Sequence, residues 1–450
     1  MLSNYRPICG GVFVNKLIQT NVKVQLKEHM DTNDLHVKYQ SGYKEHHSCE
    51  TVLLMIINDI LVALDSGLCA VELLLDLSAA FDTVDHDEMM VSLKQDIGVD
   101  GMVYKWFSSF LSNRSQRTSV SGTNSDSRDM PYGVPQGSVL GPILFNIYVR
   151  NFIDLLESAG FKVHGYADDH QVFYKFRIEF QFHAIATLLP RALNIISQWM
   201  SSRFLKLNAG KSQLLIFSPK NICEDMLFDK VYIGDNMFIP VSLEAINLGV
   251  KLDSQLTFAP YINMVVSQSY KQIHNIGQIK KYLSVEDLRT TVQSLIVSKL
   301  DNCNSLLYGV TEYEISRLQK LQNSCARLIY GKKKNESVST LLKELHWLHV
   351  KPRIYFKILL FVFKSFKGMT PVYINDCLHV TNYDALTLNI PKTKTSYGDR
   401  AFQNYAPHLW NSLPLYLKTK ESISSFKRHL KHYLFTYFEE YTSKINRYKT

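Results

Sequence analysis

Residues 161–174 read FKVHGYADDHQVFY, and the acidic pair Asp168 and Asp169 lies inside this stretch. The flanks 161–164 and 171–174 are rich in apolar and aromatic residues, which predicts two short strands and a hairpin with the acidic pair at its tip. Two carboxylates this close repel each other unless a cation lies between them. A bare Asp-Asp pair is more often a turn that faces solvent, so the argument for a metal site depends on the rest of the chain.

A third carboxylate, Asp76, follows the apolar run 71–75, which predicts a buried strand. This aspartate and the hairpin pair could hold two Mg²⁺ or Mn²⁺ ions, since these hard cations prefer oxygen ligands. Two such ions clamp the attacking and leaving oxygens of a phosphoryl transfer. Capping of a following helix is the alternative interpretation of Asp76. Between the acidic elements, the glycine-rich stretch 133–142 precedes an apolar helix at 143–148, and its backbone could approach a base pair or a phosphate.

Taken together and in this order, these motifs resemble those of the reverse transcriptases of non-LTR (LINE-like) retrotransposons. The family's fingers motifs, its five catalytic-core motifs and a segment downstream of the core all have counterparts here. The matching segments are 4–8, 40–43, 75–82, 133–142, 166–169, 207–212, 247–250 and 406–414. The resemblance therefore covers nearly the whole chain.

The resemblance implies a role for each matching residue. The ligands of two Mg²⁺ (or Mn²⁺) ions would be Asp76, Asp168, Asp169 and the backbone carbonyl of Leu77. Lys211 would act as a general acid near the leaving pyrophosphate. Phe81 would stack under the incoming sugar and exclude a 2′-hydroxyl; a core aromatic residue is the alternative, and both roles could hold at once. The residues in contact with the dNTP or template would be Lys44, Phe81, Gln136, Gly137 and Tyr166, and the primer grip would include Leu248 and Gly249.

Two positions depart from the family pattern. Lys44 stands where the family usually has arginine, and a lysine binds phosphate as a point charge without the planar fork of arginine. A weaker grip on the triphosphate is therefore expected. His170 stands where the family usually has threonine, just outside the acidic pair.

The order of elements predicts an α+β fold of the right-hand polymerase type. Strand, helices, hairpin, a helix that reaches Phe204 and a strand at 213–217 follow the split βαβ arrangement of a palm. We expect truncated fingers and palm in residues 1–255 and a helical thumb in 256–370. Residues 371–450 would form a C-terminal helical or mixed extension, with a helix at 423–438.

Charge is distributed unevenly over the 450 residues, whose net charge is +9. Residues 1–255 carry 22 Lys and Arg against 28 Asp and Glu, whereas residues 256–450 carry 28 against 13. The basic half is suited to bind a nucleic-acid backbone, and a merely solvated basic surface is the alternative. No C-x-x-C spacing, signal peptide or apolar run long enough for a membrane span occurs, which predicts an intracellular protein, nuclear or cytoplasmic.

We therefore expect an RNA-directed DNA polymerase that adds dNTPs to a primer 3′-hydroxyl. Its partners would be the RNA template, the DNA primer and the RNA–DNA duplex. A truncated, catalytically inactive nucleic-acid-binding remnant is the alternative: the intact aspartate triad favours activity, whereas the short fingers and Lys44 favour the remnant. An RNA-dependent RNA polymerase shares the palm chemistry, but Phe81 and the Tyr-Ala-Asp-Asp turn argue against it.

Overall fold

The structure is a computed structural model, and the residues it describes are 8–10, 12–219, 228–233, 237–333 and 336–447. The predicted fingers motif at 4–8 lies outside the described residues except for Ile8. The described chain forms two compact units. The first comprises the described parts of Met1–Glu45, Val71–Ile216 and Met226–Ser242, and the second those of His46–Ala70, Phe217–Asp225 and Leu243–Thr450.

Helices of six or more residues occur in both units. In chain order they are α1 Phe13–Thr32, α2 Cys49–Asp65, α3 His86–Gln95, α4 Gly101–Leu111, α5 Gly141–Tyr148, α6 Arg150–Ser158, α7 Leu189–Ser202, α8 Ala259–Ile279, α9 Val285–Val292, α10 Glu312–Tyr330, α11 Ser339–Glu344, α12 Val350–Phe366, α13 Phe402–Asn411, α14 Ile423–Thr436 and α15 Phe438–Arg447. Within the described ranges, no helix is both long and apolar enough to cross a lipid bilayer.

Strands of four or more residues complete a mixed α and β fold, as the sequence predicts. They are β1 Cys69–Leu75, β2 Lys162–Tyr166, β3 Asp169–Phe176, β4 Gln213–Phe217, β5 Lys230–Ile233, β6 Met237–Pro240, β7 Glu244–Asn247 and β8 Val250–Asp253. The pairs β5–β6 and β7–β8 are antiparallel hairpins that the sequence analysis did not anticipate.

A four-stranded sheet in the order β4-β1-β3-β2 organises the first unit. The apolar strand β1 lies between two neighbours, and all of its residues except Leu74 are buried. Strands β2 and β3 form the predicted antiparallel hairpin. Along the chain, β1, the helices α3 to α6, the hairpin, α7 and β4 follow one another in the predicted order.

Two predicted helices end earlier than expected. Helix α7 ends at Ser202, and Phe204 lies beyond it in the left-handed region (φ +54°), where the Leu205 N–H donates to the Met200 carbonyl (2.8 Å). This is a Schellman-type helix end, which the sequence does not announce with a glycine. The predicted helix at 423–438 is divided into α14 and α15, because the backbone of Tyr437 leaves helical geometry (φ −122°).

Helix α2, which the sequence analysis grouped with the fingers, belongs to the second unit. The buried Glu50 carboxylate accepts hydrogen bonds from the Ser305 N–H (3.1 Å) and hydroxyl (2.7 Å) and forms an ion pair with Lys357 (3.1 Å). The two hydrogen bonds join residues 255 positions apart, and the ion-pair partner Lys357 lies farther still along the chain, so a local pattern could not predict these contacts. The predicted divisions at residues 255 and 370 stay predictions.

Candidate active site

The acidic pair lies on a tight hairpin turn, as predicted. Tyr166 pairs with Asp169 across β2 and β3, which leaves Ala167 and Asp168 as a two-residue loop. Ala167 has φ +59°, in the left-handed region that residues other than glycine rarely occupy. Asp168 is half-buried and Asp169 is exposed. The turn therefore presents both carboxylates at the edge of the central sheet.

Asp76 directly follows β1, and β1 pairs with β3, the strand that begins at Asp169. The Asp76 N–H donates to the Ser212 hydroxyl oxygen (3.2 Å), and the Asn208 N–H donates to the Asp76 carbonyl (2.9 Å). Leu77 pairs with Leu207 in a short antiparallel ladder. The segment 207–212 is thus hydrogen-bonded to the backbone of the segment 75–82, and both match core motifs of the family. The sequence analysis included Ser212 in the matching segment 207–212 but predicted no role for it, because its partner lies 136 residues away.

The donor set around these strands suits a hard divalent cation. Among the described residues, the carboxylates of Asp76 and Asp168 form no ion pair and accept no hydrogen bond. Half-buried carboxylates without partners are costly, and oxygen-liganded Mg²⁺ or Mn²⁺ would offset that cost. Asp76 does not cap a helix, because the short ladder between Leu77 and Leu207 follows it directly. Helix α3 is capped instead by Asp85, which accepts from the Glu88 N–H (3.0 Å).

No group of three or more His, Cys, Asp or Glu side chains in the described part of the chain is arranged around a metal position. The three aspartates fit a metal pair by their chemistry and by the adjacency of their strands. Their convergence on one point stays a prediction.

The segment 39–42, here called the strap, runs along the end of β2. The Gly165 N–H donates to the Tyr39 carbonyl (2.8 Å), and the Ser41 N–H donates to the Gly165 carbonyl (2.8 Å). The Gln40 side chain is 1% exposed, and its oxygen accepts from the Ala167 N–H (2.9 Å). The sequence analysis matched residues 40–43 to a fingers motif but assigned them no role at the acidic turn.

Phe81 and the glycine-rich loop lie together. The Phe81 ring is half-buried and stacks on Phe145, with 4.6 Å between ring centroids. The Val134 N–H donates to the Phe81 carbonyl (2.9 Å), and the Gln136 amide donates to both Asp82 carboxylate oxygens (2.9 Å each). The loop is therefore bound to the turn that follows Asp76 in the chain.

Lys44 is engaged by the protein itself. Its ammonium donates to the Val37 carbonyl, and Arg150 lies close by and donates to the Leu35 carbonyl. Burial, and then the positive charge of Arg150, lower the pKa of Lys44 to about 8. The lysine is thus less available as a phosphate ligand than the arginine usual in the family.

His170 supports the turn from inside the core. Complete burial lowers the pKa of its imidazole to about 4, so the ring is neutral at pH 7. Its Nδ1 lies 3.1 Å from the Asp168 carbonyl, which can only accept, so Nδ1 carries the proton. The ring packs edge-on against Phe152 (5.0 Å between centroids). His170 therefore donates a hydrogen bond to the backbone beside the Asp168 carboxylate.

The remaining predicted residues occupy turns. Gly137 is exposed with φ +86°, and Lys211 is exposed at the end of a turn closed by its N–H on the Asn208 carbonyl (3.1 Å). Leu248 and Gly249 form the two-residue loop of the β7–β8 hairpin in the second unit. Both have positive φ (+45° and +83°), which is the requirement of a type I′ turn.

Comparisons with known proteins point to one family. The reverse transcriptase (RNA-dependent DNA polymerase) family matches residues 2–279. The probable RNA-directed DNA polymerase from transposon X-element of Drosophila melanogaster is 26% identical over 335 residues, which cover 73% of this chain and 36% of that protein. The RNA-directed DNA polymerase from the mobile element jockey of the same organism is 26% identical over 270 residues, 59% of this chain and 28% of that protein. The chain therefore spans about a third of the length of these relatives.

Among solved structures, apo telomerase from Candida tropicalis aligns with 79% of this chain and 61% of its own, at 11% identity and a TM-score of 0.37. That likeness is too weak to carry an argument. The family match covers more than half of the chain and agrees with the order of its motifs. The chain belongs to the reverse transcriptase (RNA-dependent DNA polymerase) family.

Proposed function

We propose that this chain is the RNA-directed DNA polymerase of a non-LTR retrotransposon, extending a DNA primer with dNTPs on an RNA template. The observation that carries the proposal is the acidic turn of Asp168 and Asp169 at the start of β3, beside the strand β1 that leads to Asp76. These carboxylates and the Leu77 carbonyl would hold two Mg²⁺ or Mn²⁺ ions. The ions would activate the primer 3′-hydroxyl and stabilise the leaving pyrophosphate.

Phe81 is suited to select the sugar. Stacking on Phe145 restricts the half-buried ring of Phe81. In the chain, Phe81 follows Asp76 by five residues. A fixed aromatic edge leaves no room for a 2′-hydroxyl, whereas a mobile one would move aside.

The glycine-rich loop and Lys211 would complete the contacts to the reacting groups. Gln136 anchors the loop through Asp82, so the backbone of the exposed Gly137 is free to approach the nascent base pair. Tyr166 closes the hairpin from β2 next to the acidic turn. The exposed ammonium of Lys211 can donate a proton to the pyrophosphate.

We assign the sheet of the first unit to the palm of a right-hand polymerase. Residues 256–370 would be the thumb, because every described element of six or more residues in this range is a helix. Residues 371–450 would be the C-terminal extension. The Leu248–Gly249 turn would grip the primer. The support for this assignment is the order of elements in the palm sheet and the family match over residues 2–279.

Nucleic-acid binding is proposed for a cationic face on α12 and α14, defined by Arg353, Lys357, Lys364, Lys427 and Lys431. Helices α12 and α14 together carry seven Lys and Arg and no Asp or Glu. They pack through stacked Phe363 and Phe426 rings (4.0 Å between centroids).

Like charges crowd on this face. Burial, and then the charges of Lys427 and Lys357, lower the pKa of Lys364; burial, and then Arg353 and Arg289, lower that of Lys431. Acidic partners are few: Asp301 pairs with Arg353 (2.6 Å) and Glu50 with Lys357. A surface that keeps like charges close suits a polyanion such as a phosphate backbone.

The geometry of Lys44 favours a second candidate, a nucleic-acid-binding remnant without catalysis. Its ammonium is bound to Val37 and its pKa is about 8, so its attraction for a triphosphate is reduced. In that case the cationic face would still bind nucleic acid, but no primer would be extended.

A primer-extension assay separates the two candidates. The purified chain, with Mg²⁺ or Mn²⁺ and dNTPs, should extend a DNA primer on an RNA template, and Asp76→Asn should abolish extension. Asp126→Asn removes the same charge from an exposed loop and should have no effect. Duplex binding without any extension by the parent chain would favour the remnant.

A further inference from the structure

The Gln40 side chain binds both the N–H and the carbonyl of one residue in the acidic turn. Its oxygen accepts from the Ala167 N–H (2.9 Å), and its amide nitrogen donates to the Ala167 carbonyl (3.2 Å). Ala167 is the left-handed residue that immediately precedes Asp168. A non-glycine residue stays in that conformation only when its surroundings hold it there.

The same side chain holds its own segment in place. The Gln40 oxygen also accepts from the Gly42 N–H (3.0 Å), and the Gly42 carbonyl accepts from the Asn146 amide of α5 (2.9 Å). The Ser41 hydroxyl lies 2.9 Å from Nε2 of His164 in β2. The strap is therefore anchored to a helix and a strand before Gln40 reaches the turn.

Close packing prevents the acidic turn from moving towards the strap. A β-carbon at Gly42 would lie 2.3 Å from the Ala167 nitrogen, and one at Gly165 would lie 2.8 Å from the Gln40 amide nitrogen. Backbone thus meets backbone between the strap and the turn. A movement of either segment displaces the other.

We propose that Gln40 is a positioning residue that sets the Asp168 carboxylate for metal binding. It acts through Ala167 and touches no reacting group. This inference rests on the proposed metal site. Because Lys44 follows four residues later on the same chain segment, Gln40 also restricts the distance between Lys44 and the acidic turn.

Mn²⁺ affinity of the full chain, measured by isothermal titration calorimetry, tests the proposal without relying on activity. Gln40→Met keeps the length of the side chain and removes its hydrogen bonds. We expect the dissociation constant for Mn²⁺ to rise by about tenfold or more, since each lost hydrogen bond shifts an equilibrium by about three- to tenfold. The Mn²⁺ concentration for half-maximal primer extension should rise in parallel, with duplex affinity unchanged.

Gln322→Met is the matched control. Gln322 is fully buried and donates to the Leu348 carbonyl (2.9 Å) in the second unit. It should lower the melting temperature without changing Mn²⁺ affinity. Gln40→Asn retains the amide on a chain one methylene shorter, and it serves if Gln40→Met does not fold; a smaller loss of Mn²⁺ affinity is expected.

Two outcomes overturn different claims. Parental Mn²⁺ affinity in a folded Gln40→Met or Gln40→Asn variant, or an equal loss in Gln322→Met, refutes the positioning role of Gln40. Parental Mn²⁺ affinity in Asp168→Asn instead refutes the proposed metal site itself.

Discussion

A β-carbon added at Gly42 would lie 2.3 Å from the backbone nitrogen of Ala167 and 2.8 Å from its Cα. Ordinary contacts between such atoms begin near 3.5 Å, so the strap and the turn must separate by about 1 Å. Neither neighbour is a flexible side-chain end, and Gln40 holds both segments with bonds of 2.9–3.2 Å. Gly42 does not have a positive φ, so alanine at this position acts through this steric conflict alone.

We expect Gly42→Ala to lower kcat for primer extension by about 100-fold, because a displacement of about 1 Å at a catalytic group costs that much. The free energy of unfolding should fall by about 1–3 kcal/mol, as in other overpacked sites. Single-turnover dNTP incorporation measures the first effect and urea denaturation the second. Gly277→Ala in α8, which meets no atom within 4 Å, is the control and should keep the parental kcat. Parental kcat in Gly42→Ala would refute the close contact between strap and turn.

Three further substitutions give separable results. Phe81→Val should raise ribonucleotide incorporation relative to dNTPs by at least about tenfold, measured on an RNA template, since the aromatic edge that excludes the 2′-hydroxyl is removed. In the parent chain, the KM for dNTPs should rise above pH 8, where Lys44 loses its proton. Lys44→Arg should lower this KM and abolish its rise with pH. The double substitution Lys364→Ala and Lys427→Ala should weaken RNA–DNA duplex binding and flatten the slope of log affinity against log salt by about two.

Each result has a control or a contrary outcome. Unchanged sugar discrimination in folded Phe81→Val would make that ring a core residue only. Lys44 must also influence stability, because its pKa is lowered from 10.5 to about 8 by folding. Between pH 8 and 10.5, the unfolded chain then binds more protons at this lysine than the folded chain does. The free energy of unfolding of the parent should therefore rise over this pH range through Lys44, and Lys44→Met should lack this contribution. Removal of two exposed lysines elsewhere in the second unit, Lys320 and Lys343, should leave the salt slope unchanged.

Elements with a strong local signal could be predicted from sequence. The strand at 213–217 agrees with β4 in both bounds, and the hairpin around Asp168 was placed correctly because apolar flanks enclose a short acidic turn. The end of α7 at Ser202 could not be predicted, since the bulky Phe204 occupies the left-handed position where glycine is the usual signal.

The residues that support the candidate site were harder to predict from the sequence. Gln40 and Ala167 are 127 residues apart, and Ser212 and Asp76 are 136 apart. Neither pair has a periodicity or a composition that marks it. The aspartates could be named because the charges stand at the ends of apolar runs, whereas the residues that hold them are uncharged and buried.

Anomalous diffraction from crystals of the chain soaked in Mn²⁺ tests the central claim most directly. The account predicts two anomalous peaks within coordination distance of the carboxylates of Asp76, Asp168 and Asp169, with the Leu77 carbonyl on one of them. Peaks elsewhere, or Asp76 directed away from the turn in a crystal saturated with Mn²⁺, would contradict it.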